Sequence, residues 1–160
     1  MSKISEIARS YEFQREVSPN KSFVDPTFLA KMKAVGWKAP DAWCAYFAEL
    51  VWKEATQNVL PFSASAWQTF LKYEKARGKK NSAVPIEGAL VVWRVFKNGL
   101  PQAQGHIGIV VGVQKDHFET IEGNTTDKGG REGVMVAYRK RHFEWERDNG
   151  LRLMGFIHPA

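Results

Sequence analysis

The apolar positions of this chain change period near residue 85. Before it they recur every three or four residues: Ile4, Ile7, Ala8 and Tyr11; Phe28, Leu29, Met32 and Val35; Phe47, Leu50, Val51 and Ala55; Trp67, Phe70 and Leu71. That spacing lays each set along one face of a helix. Asp25 followed by Pro26 predicts the cap and first position of the second helix, with Gly36 as its stop. Asp41 is expected to cap the third helix, which puts Cys44 at its N3 position. Ser65 and Gln68 stand at capping-box spacing for the fourth, with Gly78 as terminator. After Pro85 strand-like runs take over, and Gly, Asn and Asp turns divide them into segments over 89–96, 105–113, 117–122, 134–139 and 151–157. Helices over about 1–80 and strands over about 85–160 predict a single α+β domain spanning 1–160, with N-terminal helices packed on a mostly antiparallel five-stranded sheet. The segments 98–104 and 125–132 are expected to be mobile loops.

Alternation then sorts the chemistry. In 105–113, Ile107, Ile109, Val111 and Val113 share one face, and His106, Gly108, Val110 and Gly112 the other. In the next strand Phe118, Thr120, Glu122 and Asn124 share a face, so an acid and an amide lie within reach of a histidine on the neighbouring strand. Cys44 is the only cysteine in 160 residues and has no internal disulfide partner. Near a helix start, free N–H groups and the macrodipole favour the thiolate, the reactive form of cysteine. A helix packed on the His106 face, with Cys44 in its first turn, would complete a thiol-hydrolase set of Cys44, His106, Glu122 and Asn124. Each member alone also reads as ordinary structure: a small buried cysteine, a strand-edge histidine, a strand ending in a turn. Their joint, ordered occurrence in one small domain favours the chemical reading.

Composition narrows the setting. With 44% hydrophobic and 12% aromatic residues the chain can bury one good core. Twenty-three Lys and Arg against 17 Asp and Glu give +6, which favours polyanionic partners. The charges are scattered, however; Lys79-Lys80 and Arg139-Lys140-Arg141 are the densest groups and form no long stripe, so no nucleic-acid partner is expected. No segment approaches the roughly 20 apolar residues of a membrane span, and Met1 to Arg9 lacks the apolar stretch of a secretory signal. The expectation is a soluble chain made in the cytoplasm, without membrane insertion. His106, His117, His142 and His158 form no His-x-x-x-His pair and one cysteine makes no thiolate cluster, so neither metal nor cofactor is expected. Trp37, Trp43, Trp67 and Trp93 read first as core; Trp43, Trp93 and Trp37 are the candidates for stacking on a substrate.

Trp43-Cys44-Ala45-x-Phe47, then Pro85-x-x-Gly88-Ala-Leu-Val-Val-Trp93, Gly105-His106-Ile-Gly-Ile-Val, Ile121-Glu122-Gly123-Asn124 and a closing Met154-Gly155-Phe156-Ile157 resemble the CHAP domain. This is the cysteine, histidine-dependent amidohydrolase/peptidase module of the NlpC/P60, papain-like group, and the resemblance runs from about residue 35 to the end. It implies a papain-like fold and cleavage of an amide bond in bacterial peptidoglycan, at the muramoyl to L-alanine junction or in the stem or cross-bridge. Phage lysins, tail-associated wall hydrolases, wall-remodelling enzymes and secreted antibacterial effectors carry such modules. The implied partner is bacterial peptidoglycan, joined for an effector by a delivery machine or an immunity protein; the chain is expected to be a monomer acting at the cell wall. Cys44 would attack the carbonyl, His106 would move the proton, Glu122 would orient the imidazole, and Asn124 would share that role or polarise the substrate. The Cys44 N–H is the natural oxyanion donor. The rival readings are a papain-like deamidase or transglutaminase-type enzyme acting on protein, and a silent wall-binding module.

Two departures stand out. Many members have Gly-Asp where this chain has Gly88-Ala89. Some members also bind calcium through acids just before the cysteine, whereas Trp37-Lys38-Ala39-Pro40 precedes Asp41 here, and Asp25 is the one other acid between Phe23 and Cys44. Activity and melting temperature are therefore expected to be indifferent to EDTA and to added calcium. A clear rise in melting temperature when calcium is returned to EDTA-treated protein would contradict this.

Overall fold

The computed structural model describes residues 1–57, 61–125 and 134–160. Helices α1 (Lys3–Ser10), α2 (Pro26–Ala34), α3 (Cys44–Thr56) and α4 (Ala66–Arg77) precede strands β1 (Leu90–Lys97), β2 (Leu100–Val113), β3 (His117–Thr125), β4 (Met135–His142) and β5 (Gly150–Ile157). Side-chain caps begin three of the helices. Ser2 accepts from the Ser5 N–H, Asp25 from those of Thr27 and Phe28 with Pro26 in the first turn, and Ser65 from Gln68. Only half of the expected capping box forms, because the Ser65 N–H donates to Ser63 Oγ at 3.2 Å. Gly78 closes α4 at φ 63°, a left-handed conformation that glycine adopts at no steric cost. The inner face of α4 is Ala66, Thr69, Phe70 and Tyr73; Leu71 lies outside it, exposed.

The third helix departs from expectation. It begins at Cys44, its N-cap is Trp43, and no side chain caps it. Asp41 is not the cap: its carboxylate accepts from the Tyr46 hydroxyl at 3.0 Å, and its carbonyl accepts from Trp37 Nε1 at 2.9 Å. Cys44 is therefore the first helical residue rather than the third.

The strands form one antiparallel sheet in the order β4-β3-β2-β1-β5. Residues 98–104, expected as a mobile loop, belong mostly to β2: Lys97 pairs with Leu100 and Phe96 with Pro101. Asn98 and Gly99, at φ 51° and 75°, make the two-residue turn whose twist matches that of the flanking strands. Of the expected loop 125–132, Thr125 ends β3 and the remainder lies outside the described residues.

Each face of the sheet buries its own core. On one, Leu90, Val92, Ile107, Ile109 and Ile121 pack with Ala45, Phe47, Ala48 and Val51 of α3 and with the aromatic residues around α2. On the other, Val91, Trp93, Val110, Phe118 and Phe156 form a smaller cluster closed by Phe143 and Leu151. The expected alternation along β2 holds, but α3 packs on the Ile107 face and not on the His106 face. Among the described residues no helix is long and apolar enough to cross a membrane.

Candidate active site

The first turn of α3 is wedged by aromatic packing. Trp43 and Phe47 sit against Phe28, with Phe23 edge-on to Trp43 at 4.9 Å. On the sheet side Gly123 lets the turn approach β3. A Cβ there would stand 2.7 Å from Phe47 Cβ and 2.9 Å from Trp43 Cζ3. The glycine of Glu122-Gly123-Asn124 is thus a packing requirement that seats Cys44. The sulfur-bearing residue is 7% exposed, and the helix end it occupies offers N–H groups that no side chain caps.

His106 lies on β2 opposite Trp93 of β1, its ring stacked on the indole at 5.7 Å, and it is fully buried. Nε2 is 2.7 Å from Glu122 Oε1. Nδ1 is buried and makes no hydrogen bond, and Cys44 is the other side chain whose proximity raises the imidazole pKa. Burial by itself pushes the imidazole pKa down. The Glu122 carboxylate and Cys44 more than reverse this and bring it up to about 9.

Glu122 is itself held on three sides. The Thr120 hydroxyl donates to Oε2 at 2.5 Å, Arg141 Nε donates to Oε2 at 2.8 Å, and Arg141 Nη2 donates to Oε1 at 2.5 Å. The Arg141 guanidinium also lies over the Trp93 ring at 4.7 Å, so imidazole and guanidinium rest against one indole. Burial raises the Glu122 pKa, but Arg141 and then His106 outweigh it and hold the carboxyl well below the usual range. Gly108 makes the link to His106 possible, since a Cβ there would fall 2.8 Å from Glu122 Cγ. Gly108→Ala is therefore expected to push Glu122 off its imidazole and lower kcat about a hundredfold, the scale of a displacement near 1 Å in a catalytic group. Steady-state kinetics with a melting curve as folding control checks this; unchanged kcat would contradict it.

The structure joins Cys44, His106 and Glu122. Asn124 lies two residues beyond Glu122, buried and at φ 55°, a left-handed conformation that asparagine tolerates. The β3–β4 register shifts between Glu122 and Thr125, so alternation does not place its side chain. Trp37, Trp43 and Trp93 are corrected as substrate contacts: they are 3%, 0% and 3% exposed and have no free face for a ligand. Their indoles serve packing, and Trp43 Nε1 donates to the buried Glu16 at 3.2 Å. Arg141 and Thr120 are the site residues that sequence reasoning passed over. Among the described residues no group of three or more His, Cys, Asp and Glu is placed to hold a metal ion.

A CHAP domain family model matches residues 35–124, a span that contains Cys44, His106, Glu122 and Asn124 and stops short of Arg141. No curated protein matches the chain. With that match over more than half its length, on a four-helix, five-stranded α+β fold of papain-like type, the chain belongs to the CHAP domain family of cysteine- and histidine-type amidohydrolases that act on peptidoglycan.

Proposed function

We propose that residues 1–160 act as one catalytic domain at the bacterial cell wall and that Cys44 is the nucleophile that opens an amide bond of peptidoglycan. The bond is either the muramoyl to L-alanine junction or a peptide bond of the stem or cross-bridge. One observation carries this reading: His106 is fully buried, with one ring nitrogen on the Glu122 carboxylate at 2.7 Å and Cys44 as the other side chain acting on the ring. A thiolate facing an imidazolium is the charge pair from which a thiol hydrolase starts.

In the proposed cycle the Cys44 sulfur adds to the scissile carbonyl, and negative charge develops on the carbonyl oxygen. The uncapped start of α3 provides N–H groups there, beginning with that of Cys44 itself. His106, protonated near neutral pH, gives its proton to the leaving amine, and the acyl-enzyme forms. The neutral imidazole then takes a proton from water as it attacks the thioester, releasing the carboxylic acid and restoring the pair. Glu122 fixes the ring orientation and favours the protonated form, Arg141 and Thr120 fix Glu122, and Asn124 supports the end of the same strand. A phage lysin, a tail-associated hydrolase or a secreted antibacterial protein would each use this chemistry.

Mass spectrometry of muropeptides after digestion tests the reading. Release of an intact peptide from the lactyl group identifies the muramoyl junction, and a new amino terminus inside the peptide identifies an endopeptidase. Absence of Cys44-dependent products, with deamidation of protein glutamine instead, would replace the wall substrate by a protein one.

A further inference from the structure

Between the first turn of α4 and the β1–β2 hairpin the surface opens into a groove of about 520 Å³. Two of its lining residues are close chain neighbours of the reacting pair: Ala42 stands two residues before Cys44, and Gly105 immediately before His106. The floor is kept low by small residues. A Cβ on Gly105 would strike the Trp93 carbonyl oxygen at 2.4 Å and meet Ala66 Cβ at 3.7 Å.

One ionised side chain lines this groove, Arg94; the other polar groups, Ser65, Gln68 and Gln104, are neutral. Arg94 is braced rather than paired. Its Nε donates to the Gln102 carbonyl at 2.7 Å, and its guanidinium lies over the Trp67 ring at 4.7 Å. Trp67 is stacked in turn on Phe70 at 5.3 Å. Among the described residues no carboxylate pairs with Arg94. Arg141, by contrast, spends its guanidinium on Glu122 inside the molecule. A guanidinium fixed in plane by stacking and by Nε leaves its two terminal amino groups as a fork of the shape that a carboxylate fills.

We propose that this groove takes a carboxylate-bearing segment of the substrate peptide and that Arg94 pairs with that carboxylate, making it a specificity-determining residue. The inference rests on Cys44 and His106 being the reacting pair. A γ-linked glutamyl residue in a stem peptide carries a free α-carboxylate; amidation removes its charge and one acceptor oxygen. Arg94 therefore separates the acid form of the stem from the amide form.

The test uses the full chain and two muropeptides that differ only in whether that carboxylate is free or amidated. Wild type is expected to favour the acid form in kcat/KM by roughly tenfold to a hundredfold, the worth of one charge-assisted pair. Arg94→Gln is expected to bring the acid-to-amide ratio near one. Arg94→Lys, which keeps the charge but not the fork, should hold an intermediate ratio and serves as second variant if the glutamine form folds poorly. A wild type without preference, or a preference that survives in Arg94→Gln, overturns the role of Arg94 and leaves the Cys44 chemistry standing. Failure of wild type to cleave either substrate, when Cys44→Ala is the blank, overturns the underlying reading and this proposal with it.

Discussion

Cys44→Ala is expected to end peptidoglycan hydrolysis while leaving the fold intact. The chain has no second cysteine, and the buried imidazole is arranged around this one. Losing the nucleophile of a coupled set costs about four orders of magnitude in kcat or more, because the remaining members cannot act alone. The structural cost is small: Cys44 sits at a helix start against Trp43 and Phe47, where alanine is a good helix former and leaves a gap of one sulfur atom. A loss of about 1 kcal/mol is the scale of an ordinary point substitution. Turbidity of purified peptidoglycan, read beside a melting curve, separates the two effects. Full clearing by a folded Cys44→Ala protein would remove Cys44 from the mechanism.

The parts of this architecture that were legible in the chain are those governed by local chemistry. Asp25-Pro26, Ser65 and Gly78 act through bonds to neighbours within a few residues; the first two begin their helices and Gly78 ends one where the residue type predicts. Strand alternation put His106 and Glu122 on one side of the sheet because side-chain direction reverses at every residue. Asp41 has the same capping chemistry as Asp25, yet its carboxylate takes the Tyr46 hydroxyl five residues on and its carbonyl the Trp37 indole four residues back, partners that the capping pattern does not record. The face taken by α3 was equally hidden. Both faces of β2 and its neighbours are apolar, one through Ile107 and Ile109, the other through Val110, Trp93 and Phe118, so alternation separates the faces without saying which one the helices cover. Asn98-Gly99 was a readable hairpin turn, masked by the polar and proline-containing stretch that follows. Arg141 stands in a basic run that looks like a solvated strand edge. Only the pairing of Phe118 with Arg141 in the β3–β4 ladder brings its guanidinium to Glu122.

That guanidinium supports the second large effect. Arg141→Met is expected to destabilise the protein by about 3–5 kcal/mol at neutral pH, the cost of breaking a buried ion pair and leaving Glu122 with only His106 and Thr120. Glu122 is fully buried and the Arg141 side chain 16% exposed, so water does little to replace the lost partner. The pH dependence carries the signature. Glu122 has a lowered pKa in the fold, so its contribution is present above the unfolded carboxyl value of about 4.3 and is lost as pH falls through the folded one. His106 is raised to about 9, so its contribution is complete below the unfolded value of about 6.5 and drains away as pH climbs toward 9. Wild type should be most stable between about pH 4.3 and 6.5. Without Arg141 the chief cause of the low Glu122 pKa is gone, and the acid side of the stability curve should retreat toward neutral pH. Adding Glu122→Gln to Arg141→Met removes the stranded charge, so stability should recover in part. Activity should not recover, because the imidazole has lost the carboxylate that orients it and raises its pKa. Chemical denaturation across pH, beside kcat/KM for the single and double variants, reads both effects. An Arg141→Met protein with wild-type stability and an unmoved acid limb would show that Glu122 needs no such partner, whereas recovery of activity in the double variant would deny the carboxylate its positioning role.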